Sequence, residues 1–239
     1  MGICCSISKA QDDSKANQTN SDNMATTTTA GSGTPPVVAG GGGGAIHKVI
    51  HRLLDLGINL LAIDFDQTIL DIHTGGRWND TLEELLPHVR PEFAQLIPAA
   101  LDNNIHVAIV TFSSQIHLVR GVLEYICSLA AGNINNDNAD IHSTQYAAIS
   151  RAAQIPIRGG DRSWSYKGGG SREGKQHYIA SAVEELESKN PGLEITKNTT
   201  VLIDDDSKNI RFAFADHVRG VWLNPDKPHL LLQDLIKLI

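Results

Sequence analysis

The sequence predicts an α/β protein whose mostly parallel sheet carries helices on both faces. Three observations support that class. Short apolar runs that fit buried strands recur at residues 58–63, 105–110, 200–203 and 218–223. Longer segments with helical apolar spacing separate them, the alternation that builds parallel sheets. Three of the runs stop at Asp64, Thr111 and Asp204, and open α/β sheets bind their ligands at the carboxyl ends of the strands.

Each element follows from local chemistry. Residues 1–44 form a tail: Ser, Thr, Asn, Asp and Gly dominate it, with homopolymer runs at 26–29 and 40–44. Such a stretch cannot bury enough apolar surface to fold and reads as a flexible tether. Its glycine run lacks the preceding strand and the Lys-Ser/Thr of a phosphate-binding loop. The first six residues, Met1-Gly2-Ile3-Cys4-Cys5-Ser6, fit the N-myristoylation pattern, with Gly2 as the acceptor. One myristoyl chain binds membranes only marginally, and Cys4 and Cys5 are placed to add palmitate. The expectation is a lipid-anchored protein on the cytoplasmic face of a membrane, otherwise cytoplasmic.

The folded domain is expected over 45–239. Residues 45–56 repeat apolar side chains at helical period, and 58–63 is the first strand. Residues 67–80, with Gly75 and Gly76, read as a loop or small hairpin, and 81–86 as a short helix capped by Asp80. A helix over 91–103 starts at Pro91, and Pro98 predicts a kink or an early end. Strand 105–110 is followed by a helix over 115–129, an Asn/Asp-rich loop at 133–140, a helix over 146–153 and a short strand at 155–157. A Gly-rich basic loop spans 159–172. Then come a helix at 173–188, strand 200–203, helix 207–215, strand 218–223 and a last helix at 228–239.

Composition narrows the function. The 239 residues are 41% hydrophobic and 20% charged, enough for a sizeable core. A net charge of -7 argues against a general nucleic-acid binder, and no apolar run approaches the ~20 residues that span a bilayer. The three cysteines, Cys4, Cys5 and Cys127, are no disulfide framework and suit a reducing compartment. The histidines show neither HxH nor HExxH spacing, so zinc is unsupported.

The run Leu60-Leu61-Ala62-Ile63 ends at Asp64-Phe65-Asp66-Gln67-Thr68. Two acids at the end of a buried strand concentrate negative charge, which is costly unless a cation sits there. A second buried run ends in Asp204-Asp205-Asp206, and the offset to Asn209 favours the first two of these acids. Alone, an Asp-x-Asp is more often a solvated turn, a terminal threonine is bland and a lysine opening a helix is usually solvated. Their co-occurrence at strand ends gives them meaning.

With these motifs in place, the sequence resembles the haloacid dehalogenase superfamily of hydrolases, phosphatase branch. Asp64-Phe65-Asp66-Gln67-Thr68 meets the first family motif. Val107-Ala108-Ile109-Val110-Thr111 meets the second, Lys175 in Glu173-Gly174-Lys175 the third, and Val201-Leu202-Ile203-Asp204-Asp205 with Asn209 the fourth, in family order over residues 58–223. The resemblance implies a Rossmann-like domain and an Mg²⁺-dependent phosphatase. Asp64 would attack phosphorus and form an aspartyl-phosphate. Asp66 would protonate the leaving alcohol and then activate water. Mg²⁺ would be held by the carboxylates of Asp64 and Asp204 and the backbone carbonyl of Asp66, with Asp205 completing the cluster. Thr111 and Lys175 would hold the phosphoryl oxygens, with Lys167 as a rival lysine. Thr68 and Ser113 are further candidate substrate contacts. Their alternatives are local: Thr68 closing a loop, Ser113 and Ser114 capping the next helix.

The intervals from Asp66 to Thr111 and from Thr111 to Lys175 leave no room for a large cap domain. Val89-Arg90-Pro91-Glu92-Phe93 also resembles the capless magnesium-dependent and protein-phosphatase-like branches. An open site admits a phosphorylated protein as well as a small molecule. The stretch 158–167, which mixes cations and aromatics, reads equally as a substrate-binding loop or a mobile surface loop. Two other readings stand beside the enzyme: a non-catalytic phosphate- and metal-binding module acting as a membrane-tethered interaction protein, and a receiver-type phosphoacceptor domain. The spacing Asp64-x-Asp66-x-Thr68 does not fit the receiver.

Overall fold

A computed structural model of the chain describes residues 43–132 and 141–239. Gly2, Cys4 and Cys5, the tether and the 133–140 loop lie outside the described residues. Five strands, β1 (Leu60–Ile63), β2 (His106–Val110), β3 (Ile157–Arg158), β4 (Thr200–Asp204) and β5 (Arg219–Trp222), form one sheet in the order β3-β2-β1-β4-β5. Every neighbouring pair is parallel, so each connection has to cross over the sheet. Helix α1 (Gly43–Asp55) precedes it. Helices α2 (Leu82–Leu85) and α3 (Pro91–Asp102) lead from β1 to β2, and α4 (Ile116–Gly132) and α5 (Ile141–Ala153) lie between β2 and β3. Helix α6 (Gln176–Lys189) leads to β4, α7 (Ser207–Ala215) leads to β5, and α8 (Leu231–Ile236) follows. The architecture is the Rossmann-like α/β class that the alternation predicts. Among the described residues no inserted domain stands over the strand ends.

Side-chain alternation divides the core into two layers. Leu61, Ile63, Val107, Ile109, Val201 and Ile203 pack against α1, α3 and α4 through Val49, Leu53, Phe93, Leu96, Val119 and Leu123. Leu60, Ala62, Ala108, Val110 and Leu202 face the other way, against Tyr178, Ile179 and Ala182 of α6 and Ile210 and Ala213 of α7. Ala62 and Ala108 are small, which lets α6 approach the sheet on that side.

Several expectations are corrected. Helix α2 is capped by Thr81 rather than Asp80: Glu84 N donates to Thr81 Oγ1 (3.3 Å), and Thr81 N donates to Glu84 Oε2 (2.9 Å), a reciprocal pair that satisfies two orphan donors. Helix α3 runs unbroken through Pro98. The proline costs about 3 kcal/mol in a helix interior; the fully buried Phe93, Leu96, Ile97 and Ala100 around it outweigh that. Helix α6 starts at Gln176 rather than 173, because Gly174 takes φ 53° and breaks the helical path. The 228–239 helix divides into one 3₁₀ turn, Pro228–Leu230, and α8. After β1, Phe65–Ile69 winds a single wide turn, and Leu70 bridges antiparallel to Val89. The hairpin partner therefore comes from beyond the predicted loop. The short strand of 155–157 lies at β3, and α5 begins earlier than expected, at Ile141.

Candidate active site

The chain builds β1, β2 and β3 toward one edge, then returns to place β4 and β5 on the other side of β1. The crevice above that reversal, between the ends of β1 and β4, is where open parallel sheets bind ligands. Ile63 pairs with Ile203, and the Asp64 N–H donates to the Ile203 carbonyl at 2.9 Å. Asp64 and Asp204 therefore stand side by side at one level. Both continue the alternation of Leu60, Ala62 and Leu202, so both face the α6–α7 side.

Lys175 meets them there. It is only 1% exposed, and its Nζ donates to Asp64 Oδ1 at 2.7 Å and to the Val110 carbonyl at 2.9 Å. The preceding Gly174 makes this approach possible. Besides its positive φ, a Cβ at that position would lie 2.9 Å from Phe212 Cδ2 and 3.1 Å from Asn209 Oδ1. The rival Lys167 is exposed.

Asp204 accepts from Asn209 Nδ2 at both oxygens, at 3.2 and 3.0 Å, and from the Asp206 N–H at 2.8 Å. Asp206 spends its own carboxylate on capping α7, accepting from Lys208 N at 2.8 Å. Carboxylate oxygens of Asp64, Asp204 and Asp205 all lie within 4.8 Å of one another. Asp66 stands outside this trio: its Oδ1 accepts from Thr74 N at 3.0 Å, and its Oδ2 lies 3.9 Å from His73 Nδ1.

The candidate substrate contacts Thr68, Ser113 and Thr111 all make bonds within the fold. Thr68 is fully buried, donating to Asp205 Oδ1 (3.3 Å) and accepting from Asp205 N (3.1 Å). It ties the loop after β1 to the loop after β4. Ser113 is buried, and its Oγ accepts from Gln115 N at 3.3 Å, the local capping use. Thr111 is also buried, at the end of β2, and its Oγ1 accepts from Ser113 N at 3.1 Å.

Arg158 of β3 and Arg172 of the 159–172 loop make internal contacts, whereas Arg162 and Lys167 of the loop are exposed. Arg158 turns inward to Ser181 Oγ (2.9 Å) and Glu185 Oε2 (2.6 Å), with its guanidinium 6.0 Å from the Trp164 ring centre. Arg172 lies 5.3 Å from the Tyr166 ring centre. These cation–aromatic pairs hold the loop against itself and α6.

The electrostatics follow from crowding. Burial, reinforced by the neighbouring Asp64 carboxylate, pushes Asp204 up to about 7. Burial raises Asp64 too, against the pull of Lys175. Asp205 is raised by burial and then by Asp64. Three carboxylates share one ammonium, and Asn209 is spent orienting Asp204. This all-oxygen, charge-deficient donor set fits a hard divalent cation such as Mg²⁺.

Three side chains went unassigned in the sequence reading. Asn209 served there only to set the register of the acids, and its offset from Asp204 was the available signal. The exposed Phe112 covers the buried Lys175, whose Nζ lies 3.8 Å from its ring centre. Trp222 Nε1 donates to the Asp205 carbonyl at 2.6 Å. Neither aromatic carries a sequence signal, because both act through contacts made across the sheet.

Fold and site together define a Rossmann-like α/β protein with a carboxylate trio, two of its members buried, and the buried Lys175 at its strand-order reversal. No family model and no curated protein matches the chain. Among solved structures, an uncharacterized protein from Corynebacterium glutamicum is similar at 15% identity and a TM-score of 0.36, covering 76% of this chain and 97% of its own.

Proposed function

We propose that the protein is an Mg²⁺-dependent phosphatase of the haloacid dehalogenase type, cleaving a phosphomonoester through an aspartyl-phosphate. The observation that carries this reading is the juxtaposition of Asp64, Lys175, Asp204 and Asp205 at the ends of β1 and β4. Phosphoryl transfer needs an in-line nucleophile, charge neutralisation and a proton for the leaving oxygen. A carboxylate oxygen of Asp64 attacks phosphorus as the bond to the leaving oxygen breaks, and Asp66 delivers its proton to that oxygen. Asp66, now a carboxylate, takes a proton from water as the water oxygen attacks the phospho-aspartate. Inorganic phosphate leaves and Asp64 is regenerated. Lys175 screens the nucleophile, and with the Thr111 hydroxyl it binds phosphoryl oxygens. Asp64, Asp204 and Asp205, with the Asp66 carbonyl, would hold Mg²⁺, which when bound supplies further neutralisation of phosphoryl charge.

The open strand ends suit a phosphorylated protein or another large substrate. Acyl groups on Gly2, Cys4 and Cys5 would hold the enzyme at the cytoplasmic face of a membrane. The reading is tested by a phosphoester screen with and without Mg²⁺. The expected outcome is Mg²⁺-dependent phosphate release that falls by at least about 10³-fold in Asp64→Asn and about 10²-fold in Asp66→Asn. A wild-type protein that hydrolyses no phosphoester with Mg²⁺ present sinks it.

A further inference from the structure

Two aromatic side chains stand out of the fold at the mouth of the acidic site: Phe112 is 57% exposed and Trp222 47%. Scattered exposed apolar residues are ordinary on a protein surface. These two differ because each is braced against a residue of the site. The Phe112 ring centre lies 3.8 Å from Lys175 Nζ, which itself sits 2.7 Å from Asp64 Oδ1. Phe112 is also held edge-to-face by Tyr178, with ring centres 5.5 Å apart, and Tyr178 in turn packs 4.6 Å from Trp164. Trp222 is fixed by its indole N–H on the Asp205 carbonyl. Side chains this constrained keep their apolar faces in water at little further entropic cost on meeting a ligand.

Their spacing limits what that ligand is. Phe112 follows β2, one strand from Asp64, and Trp222 ends β5, two strands away on the opposite side. At about 4.8 Å between strands, the strands that carry the two aromatics lie about 5 and about 10 Å from β1 on opposite sides. A small phosphoester spans one flank at most. An extended peptide, rising about 3.3 Å per residue, spans both. The carboxylates between the aromatics repel acidic neighbours of the phosphate. We propose that the protein selects phosphopeptides with bulky apolar side chains on both flanks of the phosphorylated residue, Phe112 gripping one to two positions away and Trp222 about three positions away on the other side. This inference rests on the phosphatase reading above.

The test compares two phosphopeptides of equal charge, one with Leu or Phe at those flanking positions and one with Gly there, and a small alkyl phosphomonoester as reference. All are assayed with Mg²⁺ on wild type, Phe112→Ser, Trp222→Ser and the double variant. Wild type is expected to favour the apolar-flanked peptide by about tenfold in kcat/KM, through KM. Each single variant lowers that ratio at its own flank, and the double variant brings it close to one. Because both peptides are measured on the same preparation, general damage to the site cancels from the ratio. Quenching of the tryptophan fluorescence that is lost in Trp222→Ser, by a non-hydrolysable phosphonate peptide with apolar flanks and not by its Gly-flanked counterpart, gives a binding readout independent of turnover. Equal kcat/KM for the two peptides in wild type, or a ratio that survives in the double variant, overturns the inference. A wild type that hydrolyses the small phosphomonoester yet treats both peptides alike overturns it while leaving the phosphatase reading intact. Failure on every phosphoester removes that reading itself.

Discussion

Among the described residues Lys175 is the only ammonium bonded to a crevice that holds three carboxylates, so its removal does more than delete one contact. Lys175→Met leaves Asp64 buried without its partner, and breaking a buried pair from one side costs about 3–5 kcal/mol. The loss is expected to be larger at pH 7.5 than at pH 5, because burial raises Asp64 and favours its protonated form as the pH falls. Urea titrations at the two pH values measure it, and an equal loss at both contradicts the assignment of the charge. A second residue-scale prediction concerns Asp204. Its folded value is raised from 3.8 to about 7, so the folded state binds the proton more tightly than the unfolded chain does. Its contribution is therefore fullest below pH 4 and declines as pH rises toward 7. The change is on the order of 4 kcal/mol without a cation. Stability that rises between pH 5 and 7.5 in chelator would contradict this. At this scale Asp64, Thr111, Lys175 and Asp204 were legible, because each marks the end of a strand or the start of a helix. Ser113 makes the local capping bond that its neighbours in sequence allow, whereas the partner of Thr68 is chosen by tertiary approach and was not legible. Thr68 meets Asp205 across 137 positions of sequence.

At the scale of elements, the turn Glu173-Gly174-Lys175 decides where α6 begins and hence where its lysine points. Gly174→Ala meets two objections at once: a φ of 53° and a Cβ pressed on Phe212 and Asn209. The expected result is a loss of about 1–2 kcal/mol in denaturant stability, together with weaker Mg²⁺ binding, since Asn209 orients Asp204. Measured stability and Mg²⁺ affinity both at wild-type level would show that the turn tolerates a side chain. The elements themselves were mostly predictable from period and punctuation, as α7 and the cores of β1, β2 and β4 illustrate. The departures share one cause. Pro98 sits in a continuous helix because the buried neighbours on both sides outweigh its propensity, and propensity is all that a local reading sees. The capping box at Thr81 and Glu84 was present in the sequence, one residue from the predicted cap.

At the scale of the whole molecule, the sheet order turns two distant acidic motifs into one site. The alternation of runs implied a parallel sheet, but nothing in the chain announces that β4 lies beside β1. That pairing is set by which apolar faces fill the two layers. If the assembled crevice alone holds Mg²⁺, as proposed, the ion raises the melting temperature with the logarithm of its concentration relative to its dissociation constant. The rise is expected to be larger at pH 7.5 than at pH 5, where protons compete for the same oxygens. An Asp204→Asn protein showing the wild-type shift would place the cation elsewhere. The register of β1 against β4 has a kinetic consequence as well. Asp64 and Lys175 meet across 111 positions of sequence, so the charged crevice closes only after long-range loops have formed, which is slow. Until β4 docks, the carboxylates remain hydrated and apart. The divalent ion should therefore retard unfolding far more than it hastens refolding: in a chevron measured with saturating Mg²⁺, the unfolding limb falls while the folding limb stays nearly in place. A shift confined to the folding limb would mean that the acids gather before the strands do.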